Sequence, residues 1–169
     1  NRAKESKVGE VFVATADSEI IDVVKKNGGQ TIMTKKDHPS GSDRVYEAYL
    51  QKLQERADLI INLQGDMPNI KTESIKKLVK FMRESKSDIG TLASDIKNKD
   101  EIKNKNIVKV EVGENLKSNN FLAAKDFFRT KEDLKSNKIY HHIGIYAFTN
   151  IALTKYVKLS RSNLEIKRN

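Results

Sequence analysis

Asp66 is the carboxylate whose setting is most informative. It follows an apolar run, Asp58 to Leu63 (DLIINL), and then Gln64 and Gly65, a glycine that permits a tight turn. A carboxylate at such a point could hold Mg²⁺ against phosphate oxygens, since Mg²⁺ takes one or two carboxylates plus oxygens of the substrate. It could equally cap the next turn or helix. The loop Asp37-His38-Pro39-Ser40-Gly41-Ser42-Asp43-Arg44 comes second. A helix is expected to begin within it, so free N–H groups of Ser40, Gly41 and Ser42 could meet an anion or a base edge. An ordinary capped helix start is the preferred local reading. His38 by itself reads as a loop hydrogen-bonding residue. His141 and His142 are adjacent, so strand alternation sends one inward and the other outward, and a shared metal is not expected. The chain has no HExxH, GxSxG or Walker A sequence.

The elements that must hold these residues follow from hydrophobic pattern. Glu10 to Thr15 (EVFVAT) reads as a short buried strand. Asp17 reads as an N-cap, and Ile20, Ile21, Val23 and Val24 as the apolar side of a helix that Gly28-Gly29 ends. Gln30 to Thr34 is a second strand and Ser42 to Glu55 a second helix, with Val45, Ala48, Tyr49 and Leu53 on one side. Asp58 to Leu63 is a third strand. Ile75, Leu78, Val79 and Met82 mark a third helix. This alternation predicts an α/β sandwich with a mainly parallel sheet, in which ligands bind beyond the carboxyl ends of strands. The polar tips at those ends are Thr15 to Asp17, Lys35 to Gly41 and Gln64 to Asp66. Further on, Ile89 to Ile96, Ile107 to Val112 and Tyr140 to Phe148 read as strands of an antiparallel extension. A turn is expected at Gly113-Glu114-Asn115 and a helix from Asn150 to Val157. No internal repeat or linker divides the chain, so residues 1–169 read as one domain.

Composition narrows the class. The chain has 169 residues, no Cys, 37% hydrophobic and 33% charged residues. It is long enough for a sizeable core and too apolar for a disordered segment. Without Cys there is no disulfide scaffold, thiolate metal site or Cys nucleophile. No apolar run approaches the ~20 residues that span a bilayer. A cytoplasmic protein is the default expectation. The net charge of +9 divides unevenly: 10 basic and 11 acidic residues up to Asp66, 22 and 12 from Met67 onward. A nucleic-acid surface would need such an excess. The lysines are interleaved with Asn, Asp and Glu, as in Lys97 to Lys103 (KNKDEIK), so a solvated surface is the preferred reading.

Taken together, VFVATADSEI, GGQTIMTKKDHPSGSDRVYEA, DLIINLQGDMP, NIVKVEV, HHIGIYAF and SNLE make a chain that resembles the 3-deoxy-manno-octulosonate cytidylyltransferases (CMP-Kdo synthetases) over nearly its whole length. The resemblance implies a nucleotide-diphospho-sugar transferase-like, Rossmann-like three-layer α/β sandwich with a mixed, mainly parallel sheet and an antiparallel extension. It implies transfer of CMP from CTP to Kdo with release of pyrophosphate, for lipopolysaccharide biosynthesis. It also implies Mg²⁺ and a homodimer, with no nucleic-acid or membrane partner. Residue by residue, Asp66 matches the metal-ligating Asp of a QGD motif, and Gln64 its Gln, near nucleotide and sugar. Ser40 and Gly41 match the pair lying against the cytosine ring, and Arg44 the Arg that closes this CTP-binding motif. His142 and Tyr146 match residues lining the Kdo pocket.

The chain departs from that pattern in four places. The family's first strand and triphosphate-gripping loop would precede Asn1. Its LEQLR helix and second metal-binding Asp would follow Asn169. Met67 replaces the usual Glu of QGDEP. The Arg of the usual SRxxIP stretch has only Lys125 or Arg129 as counterpart. These 169 residues alone are therefore expected neither to fold stably nor to turn over CTP. The nearest alternative is another nucleotidyltransferase of the same fold, such as an acylneuraminate cytidylyltransferase. A non-catalytic basic binding module is a second.

Overall fold

A computed structural model describes residues 2–54, 56–98, 100–117, 119–131, 138–163 and 166. The chain packs as two units, one of Asn1–Gly90 with Ile145–Leu159 and one of Thr91–Gly144 with Ser160–Asn169.

In the first unit each apolar run becomes a strand and each amphipathic stretch a helix. A short helix α1 (Arg2–Ser6) packs on α4 (Thr72–Ser85). β1 (Phe12–Thr15) leads into α2 (Ser18–Lys26). Asp17 caps α2 as its sequence suggests, its carboxylate accepting from the N–H of Glu19 and Ile20 at 2.8 and 3.3 Å. Gly28 takes φ +69°, the left-handed conformation a helix exit favours and L side chains avoid. β2 (Gln30–Met33) then pairs parallel with β1, Phe12 opposite Gln30 and Thr15 opposite Met33. α3 (Gly41–Lys52) packs on β1, β2 and β3 (Leu59–Asn62). Its expected end, Glu55, lies outside the described residues.

β3 pairs antiparallel with the C-terminal part of β7 (Ile139–Thr149), Ile60 opposite Phe148 and Asn62 opposite Tyr146. Period-two alternation puts Ile60, Asn62, Tyr146 and Phe148 on one face. Tyr49 of α3 and Leu153 of α6 (Asn150–Tyr156) close over that face, with Val45, Leu53 and Val157 around them. Ile145 and Ala147, on the opposite face of β7, are fully buried. α4 buries Ile75, Leu78, Val79 and Met82, the stripe its spacing predicts.

β4 (Ile89–Ser94), which also pairs with β7, runs from the first unit into the second. There β5 (Lys109–Val112) pairs antiparallel with β6 (Ala124–Phe128) and with the N-terminal part of β7. Val110, Val112 and Tyr140 form the core with Ala93, Leu116 and Leu122. Lys109 is fully buried. Its ammonium donates to the carbonyls of Asn104 and Ile107 at 2.9 and 2.8 Å, and burial, with the Arg129 charge second, holds its pKa below the usual lysine range. Arg129 donates to the two carbonyls between them, Lys105 and Asn106. Lys138 likewise donates to the Gly113 carbonyl, and in the first unit Lys4 to that of Gly28.

The α/β class stands as the sequence implies, with β1 and β2 forming a two-stranded sheet and β3 to β7 a separate five-stranded one. The balance of pairing differs in detail: β1–β2 is parallel, whereas β3–β7, β5–β6 and β5–β7 are antiparallel. The cause is β7, which returns to lie directly beside β3. The periodic first half of the sequence carries no trace of that long-range partner. α1, α5 (Asp100–Lys103) and β6 are not expected from the sequence, being too short or too polar to show a period. Among the described residues no helix is long and apolar enough to cross a membrane.

Candidate active site

α3 begins directly over the Asn62 end of the β3–β7 face, because Tyr49 and Val45 fix the helix on Ile60 and Phe148 below. Ser40 is its N-cap, extended at φ −151°, ψ 168°. Its hydroxyl accepts from the Asp43 N–H at 3.3 Å and donates to the Asp43 carboxylate at 2.6 Å. That leaves the first two N–H groups of the helix, on Gly41 and Ser42, without intrahelical acceptors. Both residues line a cleft of about 230 Å³ with Ser40, Asn62, Gln64, Ile89, Tyr146, Phe148 and Tyr156. Whole-ligand pockets run from about 300 Å³ upward, so this cleft suits one planar ring rather than an entire nucleotide. Its aromatic wall is continuous: the rings of Tyr146 and Phe148 are 6.0 Å apart, those of Phe148 and Tyr156 5.6 Å. Burial, and secondly Tyr156, raises the Tyr146 phenol above its ordinary pKa, so it remains a neutral donor.

Gly41 leaves room at this point. A Cβ there would meet Asn62 Nδ2 and Gln64 Nε2, each at 3.8 Å. Two side-chain amides thus converge on the space that the glycine leaves open. Asn62 is only 6% exposed, and its Nδ2 is buried without a hydrogen-bond partner.

A second cleft in the same unit lies at the ends of β1 and β2. It is lined by Thr15, Ala16, Asp17, Ser18, Lys36 and Arg44. Arg44 is occupied there: its guanidinium donates to Thr34 Oγ1, the Lys35 carbonyl and the Lys36 carbonyl at 2.6, 2.9 and 3.1 Å. His38 Nε2 lies 2.6 Å from Glu47 Oε2, which fits its reading as a loop hydrogen-bonding residue. The Lys35 N–H, bound to the same carboxylate, is the main cause of a Glu47 pKa below the usual range. Arg44 and Glu47 together pin the loop from Thr34 to His38 onto α3.

Asp66 sits on the exposed turn after Gln64, closed by the Met67 N–H on the Gln64 carbonyl. It does not cap α4, whose N-cap is Lys71 with no side-chain cap bond. Among the described residues Asp66 has no hydrogen bond or ion pair, so its carboxylate is available as a ligand. No group of three His, Asp or Glu that could hold a metal exists among the described residues. A lone carboxylate still fits Mg²⁺ when phosphate oxygens and water supply the other positions.

In the second unit His142 is 9% exposed. Its Nε2 lies 3.0 Å from Thr91 Oγ1, which also bonds the Ile143 carbonyl, and the Phe127 ring stands edge-on at 5.1 Å. Burial, followed by the His141 charge, lowers its pKa to about 4. The imidazole is therefore neutral at neutral pH. His141 points the other way, 3.5 Å from Glu101, as strand alternation requires. Leu164 and Glu165, the end of the SNLE match, lie outside the described residues.

Of the residues singled out from sequence, Ser40, Gly41, Gln64 and Tyr146 share one cleft. Arg44 belongs to the second cleft, Asp66 to the turn beside Gln64, and His142 to the other unit. Asn62, Phe148 and Tyr156 were not anticipated. Asn62 had a readable signal, a polar residue inside an apolar strand.

Known proteins resemble this chain along nearly all of it. The sequence profile of a family described as Cytidylyltransferase matches residues 1–168. A 3-deoxy-manno-octulosonate cytidylyltransferase of Rhodopseudomonas palustris is 43% identical over 166 residues, covering 97% of this chain and 66% of the relative. The protein of that name from Brucella ovis is 41% identical over 167 residues, 98% of this chain and 66% of the relative. The chain thus spans just under two thirds of the length of these curated relatives. A solved CMP:2-keto-3-deoxy-manno-octonic acid synthetase, in complex with CTP, superposes with a TM-score of 0.86 at 33% identity, over 99% of this chain and 68% of that one. A 4-diphosphocytidyl-2C-methyl-D-erythritol synthase of Anaerococcus prevotii, 16% identical with a TM-score of 0.57, shares the fold.

Proposed function

The chain belongs to the cytidylyltransferase family, and from that premise we propose that the full-length protein transfers CMP from CTP to 3-deoxy-manno-octulosonate, giving CMP-Kdo. The observation that carries this reading is the cleft of about 230 Å³ at the start of α3, lined by two helix N–H groups, two amides and an aromatic wall. The names of the relatives supply the nucleotide and the sugar.

The Kdo anomeric hydroxyl attacks the α-phosphorus of CTP. Its oxygen–phosphorus bond forms as the bond to the bridging oxygen breaks, the hydroxyl proton is lost, and pyrophosphate leaves. Such a displacement needs in-line positioning and charge neutralisation more than covalent help. Ser40 and Gly41 hold the base end of CTP, and Gln64 reaches from the same cleft toward the reacting end. Asp66 holds Mg²⁺, which when bound neutralises phosphate charge and acts as Lewis acid and template. Arg44 supports the nucleotide site by fixing the loop beside it. The family resemblance reads Gln64, Tyr146 and His142 as sugar contacts. On the family resemblance alone, the full-length protein is read as a cytoplasmic homodimer serving lipopolysaccharide assembly.

The test is pyrophosphate release by the full-length protein with CTP and Mg²⁺, in parallel with Kdo and with an acylneuraminate. Kdo-dependent release is expected. Release that prefers the acylneuraminate, or no CTP-dependent release with either sugar, would overturn the reading.

A further inference from the structure

Asn62 is an anomaly in its strand. It closes β3, a strand otherwise of Leu59, Ile60 and Ile61, and is as buried as Ile60 and more buried than Leu59 and Ile61. A buried amide nitrogen without a partner costs the folded state the hydration it has lost. Such a group persists where something other than folding uses it. Asn62 is among the residues lining the cleft beneath the first turn of α3, a helix of 12 residues, and its Nδ2 is buried. With no side chain at Gly41, Nδ2 lies 3.8 Å from the point a Cβ would occupy, on the cleft side of the helix start.

Four donors stand in that cleft beside its hydroxyl and amide oxygens: the N–H groups of Gly41 and Ser42 and the amide nitrogens of Asn62 and Gln64. The unpartnered one, on Asn62, suits a ligand edge with acceptors. The two pyrimidine bases differ at that edge. Cytosine carries two adjacent acceptors, O2 and N3. In uracil the N3 position is an N–H donor, and only O2 accepts. An amide with two hydrogens can satisfy both acceptors of cytosine, whereas against uracil one hydrogen faces another donor.

We propose that Asn62 is a base-specificity residue: its buried, unpaired amide donates to the O2/N3 edge of cytosine in the cleft at the start of α3. This rests on the reading of the protein as a CTP-dependent transferase, and adds to it the group that rejects the other pyrimidine.

Asn62→Leu replaces the amide by an apolar group of similar size. Removing an unpaired buried donor should leave the melting temperature unchanged or higher, while CTP binding to the full-length protein, measured by calorimetric titration, weakens about tenfold or more. UTP binding should change little, so the preference for CTP narrows. Asn62→Asp, which keeps the shape and exchanges the donor nitrogen for an oxygen, should lose the same preference and guards against a folding defect in the first variant. CTP preference retained by both variants would overturn the role of Asn62 alone, as would an equal loss of CTP and UTP, which would mean that Asn62 only shapes the cleft. A wild-type protein that binds no CTP would instead defeat the transferase reading and this role with it.

Discussion

Arg44 Nη1 donates to Thr34 Oγ1 at 2.6 Å, and through that bond the fourth residue of α3 holds the loop that leaves β2. Thr34 is buried, and the same guanidinium satisfies two further loop carbonyls. Arg44→Ala should therefore lower unfolding stability by about 1–3 kcal/mol, the cost of leaving such groups unpaired. Arg44→Lys should recover only part of it, since an ammonium has no planar fork. Urea denaturation measures both. If Arg44 acted solely as a phosphate contact, Arg44→Lys would keep the midpoint and lose CTP affinity alone.

Gly41→Ala should separate folding from binding. Gly41 does not have a positive φ, and its added methyl would meet Asn62 and Gln64 at ordinary contact distance. Ala is the better helix former by up to about 1 kcal/mol, so the denaturation midpoint should hold or rise. CTP affinity should fall by about tenfold or more, because the methyl covers both amides. Unchanged affinity would remove the cleft from the nucleotide site.

Asp66→Asn keeps the shape of the side chain and removes the charge. Asp66 is exposed and bonded to nothing described, so stability should stay within about 0.5 kcal/mol of wild type. Mg²⁺-dependent pyrophosphate release should drop on the order of a hundredfold or more. Near-wild-type turnover would discard the metal role.

His142 predicts a pH effect with a definite sign. Its pKa falls from 6.5 to about 4 on folding, so the folded state binds fewer protons than the unfolded one. The resulting stability is fully present above 6.5 and is lost as pH falls from there toward about 4. Denaturation midpoints measured across that interval should decline in wild type and decline less in His142→Gln. Identical profiles would mean that His142 does not carry the effect.

Much of the first unit was legible because local rules decided it. Asp17 at an N-cap, Gly28 in the left-handed region and the Ile75–Met82 stripe each agree with their element. The start of α3 was nearly so: Ser40 is the cap and Gly41, not Ser42, the first helical residue. What escaped was set by long-range partners. The position of β7 beside β3 brings Tyr146 and Phe148 against Asn62, and no periodicity reveals which strand a chain will meet. β6 was missed because AKDFF mixes exposed and buried residues without clear alternation. Arg44, which the family resemblance reads as closing the CTP-binding motif, also braces the loop after β2, a contact that composition does not reveal.

A recurring contact has a consequence for solution behaviour. Lys4, Arg44, Lys109 and Arg129 end on backbone carbonyls and, among the described residues, on no carboxylate. Exposed ion pairs such as Arg2–Glu5 are screened as electrolyte is added. A cation in direct contact with a neutral dipole offers counterions little to screen, above all where the side chain is buried, as with Lys109. The loops these residues hold should therefore keep their form at high ionic strength, and part of the chain's positive charge serves as internal bracing.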